Sequence, residues 1–436
     1  MCSIAGSPDY WKTQKMLETM KHRSPDGYKT IMTPKFSIGM GRLAIIDLKS
    51  PNLFPYMEDN LILSFNGEIY NYLELRKELI KKGHQFRTNS DTEVLLKSYK
   101  EWGLSMFDKL NGMFAFAIYD GYKIILARDI AGEKPLYYTE KPFQFASELK
   151  ALDGDCKEFP RASYGIYNFK EFKIKPYWTL KKRDIDLRTA VDELDYLLGD
   201  SVRLRTRSDV PYGLYYSGGM DSTLISTYHD FKYKFTYRNK DYTKEFRKTF
   251  PKILWHLDYP TTHFSPFGFW KLAEEASKKV RVILSGEGGD ELFGGYTRYL
   301  TPHFNYLAQQ AFPSYKRQFS PAISVTEQGW EEFNDNMQVL LRIGDRMASA
   351  WGVENRCPFL DKRIIEFAYS LPDDWKIRGF QTKWILQELL KRRLPEYKQF
   401  EKTGLFCAVN KWIGVKDSYD KTQYMELQDK LMKLNV

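Results

Sequence analysis

The chain has 436 residues, of which 43% are hydrophobic and 16% aromatic, so it can bury a sizeable core and is long enough for two domains. No apolar run reaches the ~18 residues that span a membrane, and the beginning of the chain lacks the apolar stretch of a signal peptide, so we expect a globular cytoplasmic protein. The net charge of +10 lies in short basic clusters without a nucleic-acid-binding motif, which favours a solvated basic surface over a nucleic-acid partner.

A cysteine stands at position 2, directly after Met1. Removal of Met1 would place the α-amine of Cys2 within reach of its own thiol. An α-amine with a reference pKa of ~7.7–8.0 can act as a general base, and a thiol with a reference pKa of ~8.5 is readily activated. We therefore expect the mature chain to begin at Cys2. The other cysteines, Cys156, Cys357 and Cys407, lack the spacing of a disulfide framework or a zinc site, and we interpret them as packing residues.

Short strands dominate the region that follows. They are predicted at residues 36–47, 61–69, 113–119, 123–128, 136–138 and 143–147. Asp120-Gly121 is typical of a tight hairpin between two of them. Several of these strands are apolar on both faces, which indicates sheets packed between other layers. Helices predicted at 73–82 and 92–102 are expected to cover them.

A series of motifs runs through the same region. In chain order these are Cys2-Ser-Ile-Ala-Gly, His22-Arg-Ser-Pro-Asp, Gly41-Arg-Leu-Ala-Ile-Ile-Asp, Phe65-Asn-Gly-Glu-Ile-Tyr-Asn, Ser90-Asp-Thr-Glu-Val and Gly112-Met-Phe-Ala-Phe-Ala-Ile-Tyr-Asp. Together they resemble the class II glutamine amidotransferase domain of asparagine synthetases. The resemblance implies an α+β N-terminal-nucleophile sandwich (αββα), with two antiparallel sheets between helical layers. Ser24 stands where the family usually has glycine, which leaves the conformation of the loop beside Arg23 open.

The same resemblance implies a glutamine site. Cys2 would attack the side-chain amide, and Asn66 with the Gly67 N–H would form the oxyanion hole, since such donors stabilise charge that develops in the transition state. Arg42 would bind the glutamine carboxylate as a rigid fork, while Glu68 and Asp91 would bind the α-ammonium group. The implied glutamine-binding residues are Arg42, Leu43, Ala44, Ile45, Ile46, Asn66, Gly67, Glu68 and Asp91.

Residues 128–138 and 145–152 also resemble the family and end the first domain near Phe159. Residues 161–182 mix Tyr, Lys and Pro without a helical period, so they are predicted to be a connector. An amphipathic helix marked by apolar residues at 191, 194, 198 and 202 then opens the second domain. We predict a glutamine amidotransferase (glutaminase) domain with its connector at 1–185 and an ATP-pyrophosphatase domain at 186–436.

The second domain begins with a strand, a glycine turn and a helix start, in which residues 214–216 supply the strand. In Ser217-Gly-Gly-Met-Asp-Ser the side chains are too small to keep an anion from the backbone N–H groups, although Gly-Gly is also a common tight turn. No Gly-Lys-Ser/Thr follows, so this is not the Walker pattern. The hexapeptide resembles the pyrophosphate loop of ATP pyrophosphatases, which implies an α/β parallel-sheet domain of the adenine nucleotide α-hydrolase-like type.

A similar unit follows at 280–296. A buried strand at 282–284 leads into Ser285-Gly-Glu-Gly-Gly-Asp290, whose glycines allow Glu287 and Asp290 to approach a phosphate-bearing ligand at the carboxyl end of the sheet. Asp221 and Asp290 are therefore candidates to share Mg²⁺ with pyrophosphate oxygens. Each carboxylate by itself is also typical of a helix cap or a turn, but their joint occurrence after two apolar strands favours the metal site.

Residues 349–362 and Thr382-Lys383 also resemble asparagine synthetases, which extends the resemblance over nearly the whole chain. It implies that Lys383 is a catalytic lysine that offsets charge at the α-phosphate of ATP. It also implies that Glu287 assists ammonia attack. The implied catalytic residues are Cys2, Asn66, Gly67, Glu287 and Lys383. The implied ATP-binding residues are Tyr215, Ser217, Gly218, Gly219, Asp221, Ser222, Tyr237, Ser285 and Gly286.

Two departures from the family concern the second domain. Residues 229–263 are fewer than in the family, and we place the adenine-contacting strand at 234–237. The family usually also continues beyond the equivalent of Lys402-Thr-Gly-Leu, which is followed here by a charged tail from Lys411. The sequence therefore specifies the residues that recognise adenine less well than the loop residues of the ATP site.

The sequence thus predicts a glutamine-hydrolysing member of the asparagine synthetase family. Its substrates would be glutamine, aspartate and ATP, its metal Mg²⁺, and ammonia would pass between the sites inside the protein. One alternative is a related enzyme that amidates another carboxylate or closes a β-lactam ring, although ring-closing members typically lack the nucleophilic cysteine. The other is a non-catalytic glutamine- or nucleotide-binding relative, against which stand the loop residues that the chemistry needs. The acceptor carboxylate and assembly as a homodimer are left open.

Overall fold

The structure is a computed structural model that describes residues 1–50, 54–237, 242–261, 265–311 and 323–398. The first domain consists of strands with three α-helices. Its strands are β1 (Ser3–Ser7), β2 (Tyr28–Met32), β3 (Ser37–Gly41), β4 (Tyr56–Glu58), β5 (Leu61–Ile69), β6 (Gly112–Tyr119), β7 (Ile124–Arg128), β8 (Tyr137–Glu140), β9 (Phe143–Ala146), β10 (Lys157–Glu158), β11 (Ser163–Tyr167) and β12 (Phe172–Pro176). Its α-helices are α1 (Tyr10–Thr19), α2 (Tyr72–Lys81) and α3 (Asp91–Trp102).

These strands form two six-stranded antiparallel sheets, in the orders β10-β8-β9-β1-β3-β2 and β12-β11-β7-β6-β5-β4. Apolar side chains such as Ile4, Ile38, Ile62 and Leu126 fill the space between the sheets. Helix α1 packs on the outer face of the first sheet, and α3 packs on the second, with α2 beside it. The predicted αββα sandwich is confirmed, because strands that are apolar on both faces need a layer on each side.

The second domain is an α/β layer structure. Its elements are α4 (Ala190–Arg205), β13 (Tyr212–Tyr215), α5 (Met220–Ser226), β14 (Lys234–Phe235), α6 (Thr243–Leu257), α7 (Ser265–Ser277), β15 (Val282–Leu284), α8 (Gly289–Phe293), α9 (Leu300–Ala311), α10 (Val325–Asn334), α11 (Asn336–Ser349), β16 (Glu354–Arg356), α12 (Lys362–Ser370) and α13 (Trp384–Arg393). The four strands are parallel, in the order β14-β13-β15-β16. The chain leaves β13 first toward β14 and later returns on its other side as β15. Ligands of such sheets bind at the carboxyl ends of the strands beside this switch point.

Most predicted strands and helices lie where the sequence places them, but two predictions were wrong. The strand predicted at 36–47 ends at Gly41, because the Arg42 guanidinium donates to the carbonyls of Asp47 at 2.7 Å and Ser50 at 2.8 Å and closes residues 42–50 into a loop. The connector predicted at 161–182 contains β11 and β12, a hairpin that extends the second sheet beyond Phe159. Phe172 and Ile174 pack on the core between the sheets while the intervening lysine is exposed. In the sequence alone, an alternation this short looks the same as a loop of mixed polar and apolar residues.

The shortened segment, residues 229–263, contains β14 and α6, and α7 lies between this segment and β15. The strand predicted at 234–237 is confirmed at Lys234–Phe235, where it forms the edge of the parallel sheet beside β13. Residues from 399 onward, including Lys402, Cys407 and Lys411, lie outside the described residues. In the ranges that the structure describes, no helix combines the length and apolar character needed to cross a membrane.

Candidate active sites

Cys2 lies at the beginning of β1, against the loop that follows β3. The Leu43 N–H points at the Cys2 Sγ at 3.5 Å, and the Cys2 carbonyl accepts a hydrogen bond from Arg23 Nε at 3.1 Å. Burial raises the pKa of the Cys2 thiol, while the positive charge of the N-terminus opposes this shift. Cys2 is partly buried, and a thiol with a raised pKa is a poor nucleophile until a neighbouring base takes its proton.

Asn66 and Gly67 lie side by side in β5. The Asn66 side chain is buried, and neither of its amide atoms has a hydrogen-bond partner among the described residues. A buried amide without partners costs about 1–3 kcal/mol, so a ligand that completes its hydrogen bonds is favoured here. Gly67 has a φ of 150°, and a Cβ at this position would lie 2.1 Å from the Met113 carbonyl oxygen. Only glycine fits, because the backbone of β6 packs directly against this position.

The loop after β3 holds the remaining residues predicted to bind glutamine. Its backbone is fixed by bonds to neighbouring acids: the Ala44 N–H donates to Asp26 at 2.8 Å, and the Asp209 N–H donates to the Ile45 carbonyl at 3.0 Å. Arg42 closes the same loop, with Nη2 also 3.2 Å from the Ile46 carbonyl. The guanidinium is therefore held rigidly, and its role as a fork for the glutamine carboxylate stays a prediction.

The structure brings Glu68 and Asp91 together in a buried acid pair. Asp91 accepts a hydrogen bond from the Ile69 N–H at 3.0 Å, and Glu68 Oε2 forms an ion pair with Arg356 Nη2 at 2.9 Å. Burial raises the pKa of Asp91 to about 6. Burial, followed by the charge of Asp91, raises the pKa of Glu68 well above its usual range. The pair carries excess negative potential, which suits an incoming ammonium group.

This pair predicts a pH dependence of glutamine use. Because the pKa of Asp91 is raised to about 6, Asp91 is protonated as the pH falls below that value and binds an ammonium group less well. We expect the KM for glutamine to rise as the pH falls through this range while kcat changes less, measured as glutamate release. Asp91→Asn should have a high KM without this pH dependence. A wild-type KM that stays constant through the same range would contradict a role for Asp91 in ammonium binding.

The loop conformation that Ser24 leaves open in the sequence is settled by its contacts. Ser24 is buried, its φ is −129°, and its hydroxyl lies 2.7 Å from the Ser3 hydroxyl in β1. A side chain is therefore accommodated without left-handed backbone, and it gains a buried hydrogen bond.

The second site lies at the carboxyl ends of β13 and β15. After β13, the Ser222 hydroxyl lies 3.1 Å from the Ser217 hydroxyl and accepts from the Ser217 N–H at 3.2 Å, while Ser217 Oγ accepts from the Gly219 N–H at 3.2 Å. Gly218 has a φ of 76° with open space where a Cβ would lie. The loop is thus ordered by its own serines and by Tyr397, whose hydroxyl donates to the Gly218 carbonyl at 3.2 Å. Tyr237 follows β14, and its ring centroid lies 6.0 Å from that of Tyr242.

Three charged residues from distant parts of the chain converge beside this loop. Lys383 Nζ lies 2.7 Å from an oxygen of Asp221 and 2.7 Å from an oxygen of Asp290. Burial opposes the charge of Lys383, but Asp221 and then Asp290 outweigh it and raise the pKa of the ammonium group. Lys383 has a φ of 54° directly before α13, a left-handed conformation that costs about 1–3 kcal/mol and is common at active sites.

Glu287 occupies the loop after β15. One of its oxygens accepts hydrogen bonds from the Ser285 hydroxyl, from Asn355 Nδ2 at 2.9 Å and from Cys357 Sγ at 3.3 Å. Its other oxygen is buried without a hydrogen-bond partner among the described residues. The Tyr215 hydroxyl is likewise buried and unpartnered within those ranges, and burial, followed by the charge of Glu287, raises the pKa of Tyr215. Several polar atoms at this edge are therefore left available to a ligand.

Family models match both parts of the chain. Residues 1–181 match the glutamine amidotransferase domain, and residues 193–235, 238–338 and 330–423 match asparagine synthase, which accounts for more than half of the chain. The protein belongs to the asparagine synthase family.

Curated relatives in this family are similar over most of their length. Asparagine synthetase [glutamine-hydrolyzing] 1 of Bacillus subtilis is 28% identical, over 92% of this chain and 84% of that protein. The putative asparagine synthetase [glutamine-hydrolyzing] 2 of Methanocaldococcus jannaschii is 34% identical, over 69% of this chain and 76% of that protein. Asparagine synthetase [glutamine-hydrolyzing] 2 of Arabidopsis thaliana is 31% identical, over 92% of this chain and 77% of that protein.

Within this asparagine synthase fold, the sequence reasoning missed the residues that support Glu287. Asn355 and Cys357 lie in a motif that indicated the family, but nothing in their spacing predicts a contact with a glutamate 68 or 70 residues away. Cys357 is buried as expected, yet it donates to Glu287 and does more than fill space. Arg356, between them, was also missed, since a buried arginine in a three-residue strand has no distinctive pattern.

Proposed function

We propose that this protein is a glutamine-hydrolysing asparagine synthetase, which converts L-aspartate, ATP, L-glutamine and water into L-asparagine, AMP, pyrophosphate and L-glutamate. The observation that carries the proposal is the cluster of Lys383, Asp221 and Asp290 at the switch point of the parallel sheet, because it places three charges where phosphates would bind. Family membership and the buried cysteine site of the first domain support the same reading.

In the first domain, the Cys2 thiolate would attack the glutamine side-chain carbonyl, and Asn66 with the Gly67 N–H would stabilise the oxyanion. Collapse of the tetrahedral intermediate releases ammonia and leaves a thioester, which water hydrolyses to glutamate. The buried Asn66 amide, which has no hydrogen-bond partner among the described residues, supports its part in this role. We also propose that Arg42 and residues 43–46 hold the glutamine backbone, with Asp91 and Glu68 on the ammonium side.

In the second domain, a carboxylate oxygen of aspartate would attack the α-phosphorus of ATP and displace pyrophosphate. Lys383 would offset the negative charge that develops there. Ammonia would then attack the acyl carbon of β-aspartyl-AMP, AMP would leave, and Glu287, whose second oxygen has no hydrogen-bond partner among the described residues, would take up a proton. We propose that ATP is held by the Ser217–Ser222 loop with Tyr215, Tyr237, Ser285 and Gly286.

We further propose that Asp221 and Asp290 hold Mg²⁺. Their oxygens already converge on one cation, the Lys383 ammonium, and carboxylate and phosphate oxygens are the ligands that Mg²⁺ prefers, so the donor set fits. When bound, the ion would neutralise charge on the phosphates. Among the described residues, no group of three or more His, Cys, Asp and Glu side chains forms a metal site without the nucleotide.

Pyrophosphate release across a panel of carboxylic acids, with ATP and glutamine present, tests the acceptor. We expect aspartate to be the preferred acid and asparagine to be formed. A related enzyme that amidates another carboxylate would show a different preferred acid, and a non-catalytic relative would release no pyrophosphate with any of them.

Processing of Met1 is a separate expectation. Burial lowers the pKa of the Met1 amino group to about 5, so this part of the chain favours a neutral amine. After removal of Met1, the α-amine of Cys2 would be the base for the thiol. Met1 also lies in an apolar cluster with Tyr215 and Ile283 of the second site, so its removal would vacate space between the two sites, along which we propose that ammonia passes. Intact-mass measurement should show a chain that begins at Cys2. Full glutaminase activity with Met1 retained would refute this mechanism.

A further inference from the structure

The buried side chain of Arg356 connects the two candidate sites. Arg356, in β16 of the second domain, pairs with Glu68 of the first domain through Nη2 at 2.9 Å and with Glu354 through Nε at 3.0 Å. Its Nη1 donates to the carbonyls of Arg205 at 3.0 Å and Arg207 at 2.7 Å. This guanidinium is fully buried and bound to two carboxylates and two carbonyls, so it cannot move without altering at least one of these contacts.

On the glutamine side, Arg356 pairs with Glu68, a carboxylate that we also propose to bind the substrate. Glu68 follows Gly67 in β5 and lies beside Asp91, and its Oε1 has no hydrogen-bond partner among the described residues. Three buried carboxylates, Glu68, Asp91 and Glu354, therefore face one guanidinium. A glutamine ammonium group bound by Asp91 and Glu68 would share the Glu68 carboxylate with Arg356. Its positive charge would therefore change the strength of the Glu68–Arg356 ion pair.

On the synthetase side, the residues on either side of Arg356 contact Glu287 and hold it in place. Its sequence neighbours Asn355 and Cys357 both donate to Glu287 Oε2. The Arg356 carbonyl accepts from the Ser285 N–H at 3.0 Å, at the beginning of the loop that carries Glu287. A displacement of Arg356 would therefore move Glu287, both through the backbone contact with Ser285 and through the side chains of Asn355 and Cys357.

We propose that Arg356 is a positioning residue that couples glutamine binding at Glu68 to the placement of Glu287 in the synthetase site. The inference rests on the proposed function and adds a thermodynamic link between its two sites. Because coupling free energies are reciprocal, glutamine should change the affinity for nucleotide and aspartate by the same factor that these ligands change the affinity for glutamine.

The test uses the Cys2→Ala protein, in which glutamine can bind without hydrolysis. Its glutamine Kd is measured by calorimetry with and without α,β-methylene-ATP plus aspartate, which occupy the second site without reaction. We expect the two Kd values to differ by about 5–150-fold, the usual range of coupling. Adding Arg356→Lys, which keeps the charge but cannot hold Glu68, Glu354 and two carbonyls at once, should bring this ratio to about one.

Arg346→Lys is the matched control. Arg346 is also fully buried and joins the domains, through Glu148 at 2.7 Å and Asp258 at 3.0 Å, and neither of these partners is Glu68 or a residue of β16. This variant should keep the coupling ratio. An equal loss in both lysine variants would indicate general loosening of the interface and would overturn the proposal.

A second variant covers the case in which Arg356→Lys does not fold. Asn355→Ser removes a donor to Glu287 and leaves Arg356 in place, so the glutamine Kd without nucleotide should be unchanged while the coupling ratio falls. A ratio of one in the Cys2→Ala parent, or an undiminished ratio in the folded variants, would refute the link. If the wild-type protein forms asparagine but shows no linkage, only this inference fails; if it forms no asparagine, the proposed function fails.

Discussion

Replacing Cys2 by alanine should abolish glutamine hydrolysis and leave asparagine synthesis from added ammonia intact. Removing a catalytic nucleophile lowers kcat by a factor on the order of 10⁶ in enzymes that act through one. The Lys383 cluster and Glu287 lie in the other domain and keep all their contacts, so aspartate should still be adenylated. Glutamate release and asparagine formation, each measured with glutamine or with ammonium salt, separate the two activities.

The dependence on pH gives a further check of the same variant. NH₃ is the minor species near neutral pH, and attack needs its free lone pair, so ammonia-dependent synthesis should rise with pH toward the pKa of ammonium. Cys156→Ala is the matched control, since this cysteine is also partly buried in the first domain and has no predicted role. If Cys2→Ala also lost ammonia-dependent synthesis, Cys2 would be supporting the fold or the second site.

Asp221→Asn and Asp290→Asn should suppress pyrophosphate release while glutamine hydrolysis continues. Each substitution removes a charged oxygen from the group around Lys383 and, as we propose, a ligand of Mg²⁺. Loss of one such electrostatic contact typically costs about 10²–10³ in rate, and we expect at least this reduction. Release of pyrophosphate is measured against Mg²⁺ concentration, with glutamate release as the internal reference.

Lys383→Ala should have a similar effect on pyrophosphate release but a larger effect on stability, because it leaves two carboxylates facing each other without their common cation. Asp374→Asn, an exposed aspartate of the same domain, should change neither activity. Wild-type rates of pyrophosphate release in Asp221→Asn or Asp290→Asn would show that the proposed metal site is wrong.

The sequence determined the local structure wherever one pattern dominated. The strand at 61–69 is confirmed with both ends, because the apolar residues 61, 63, 65 and 69 lie on one face and the chain turns at Asn71. Helix α4 follows from its apolar spacing, and the hairpin at Asp120-Gly121 follows from turn chemistry, with Gly121 at a φ of 87°. The motifs also indicated both domains and nearly all candidate site residues, because their chemistry is carried by short contiguous segments.

Only the tertiary structure decided which distant groups meet. Asp221 and Lys383 are 162 residues apart, and Asp221 alone is typical of a helix cap and Lys383 alone of a solvated charge, yet they form a largely buried ion pair. The sequence assigned Glu68 to glutamine, whereas the structure also gives it a partner, Arg356, 288 residues away. Such pairs depend on where β5 and β16 lie after the sheets pack, and long-range burial of charge leaves no periodicity in the sequence. Local patterns therefore specified the parts of the two sites, and packing between the domains specified how they are connected.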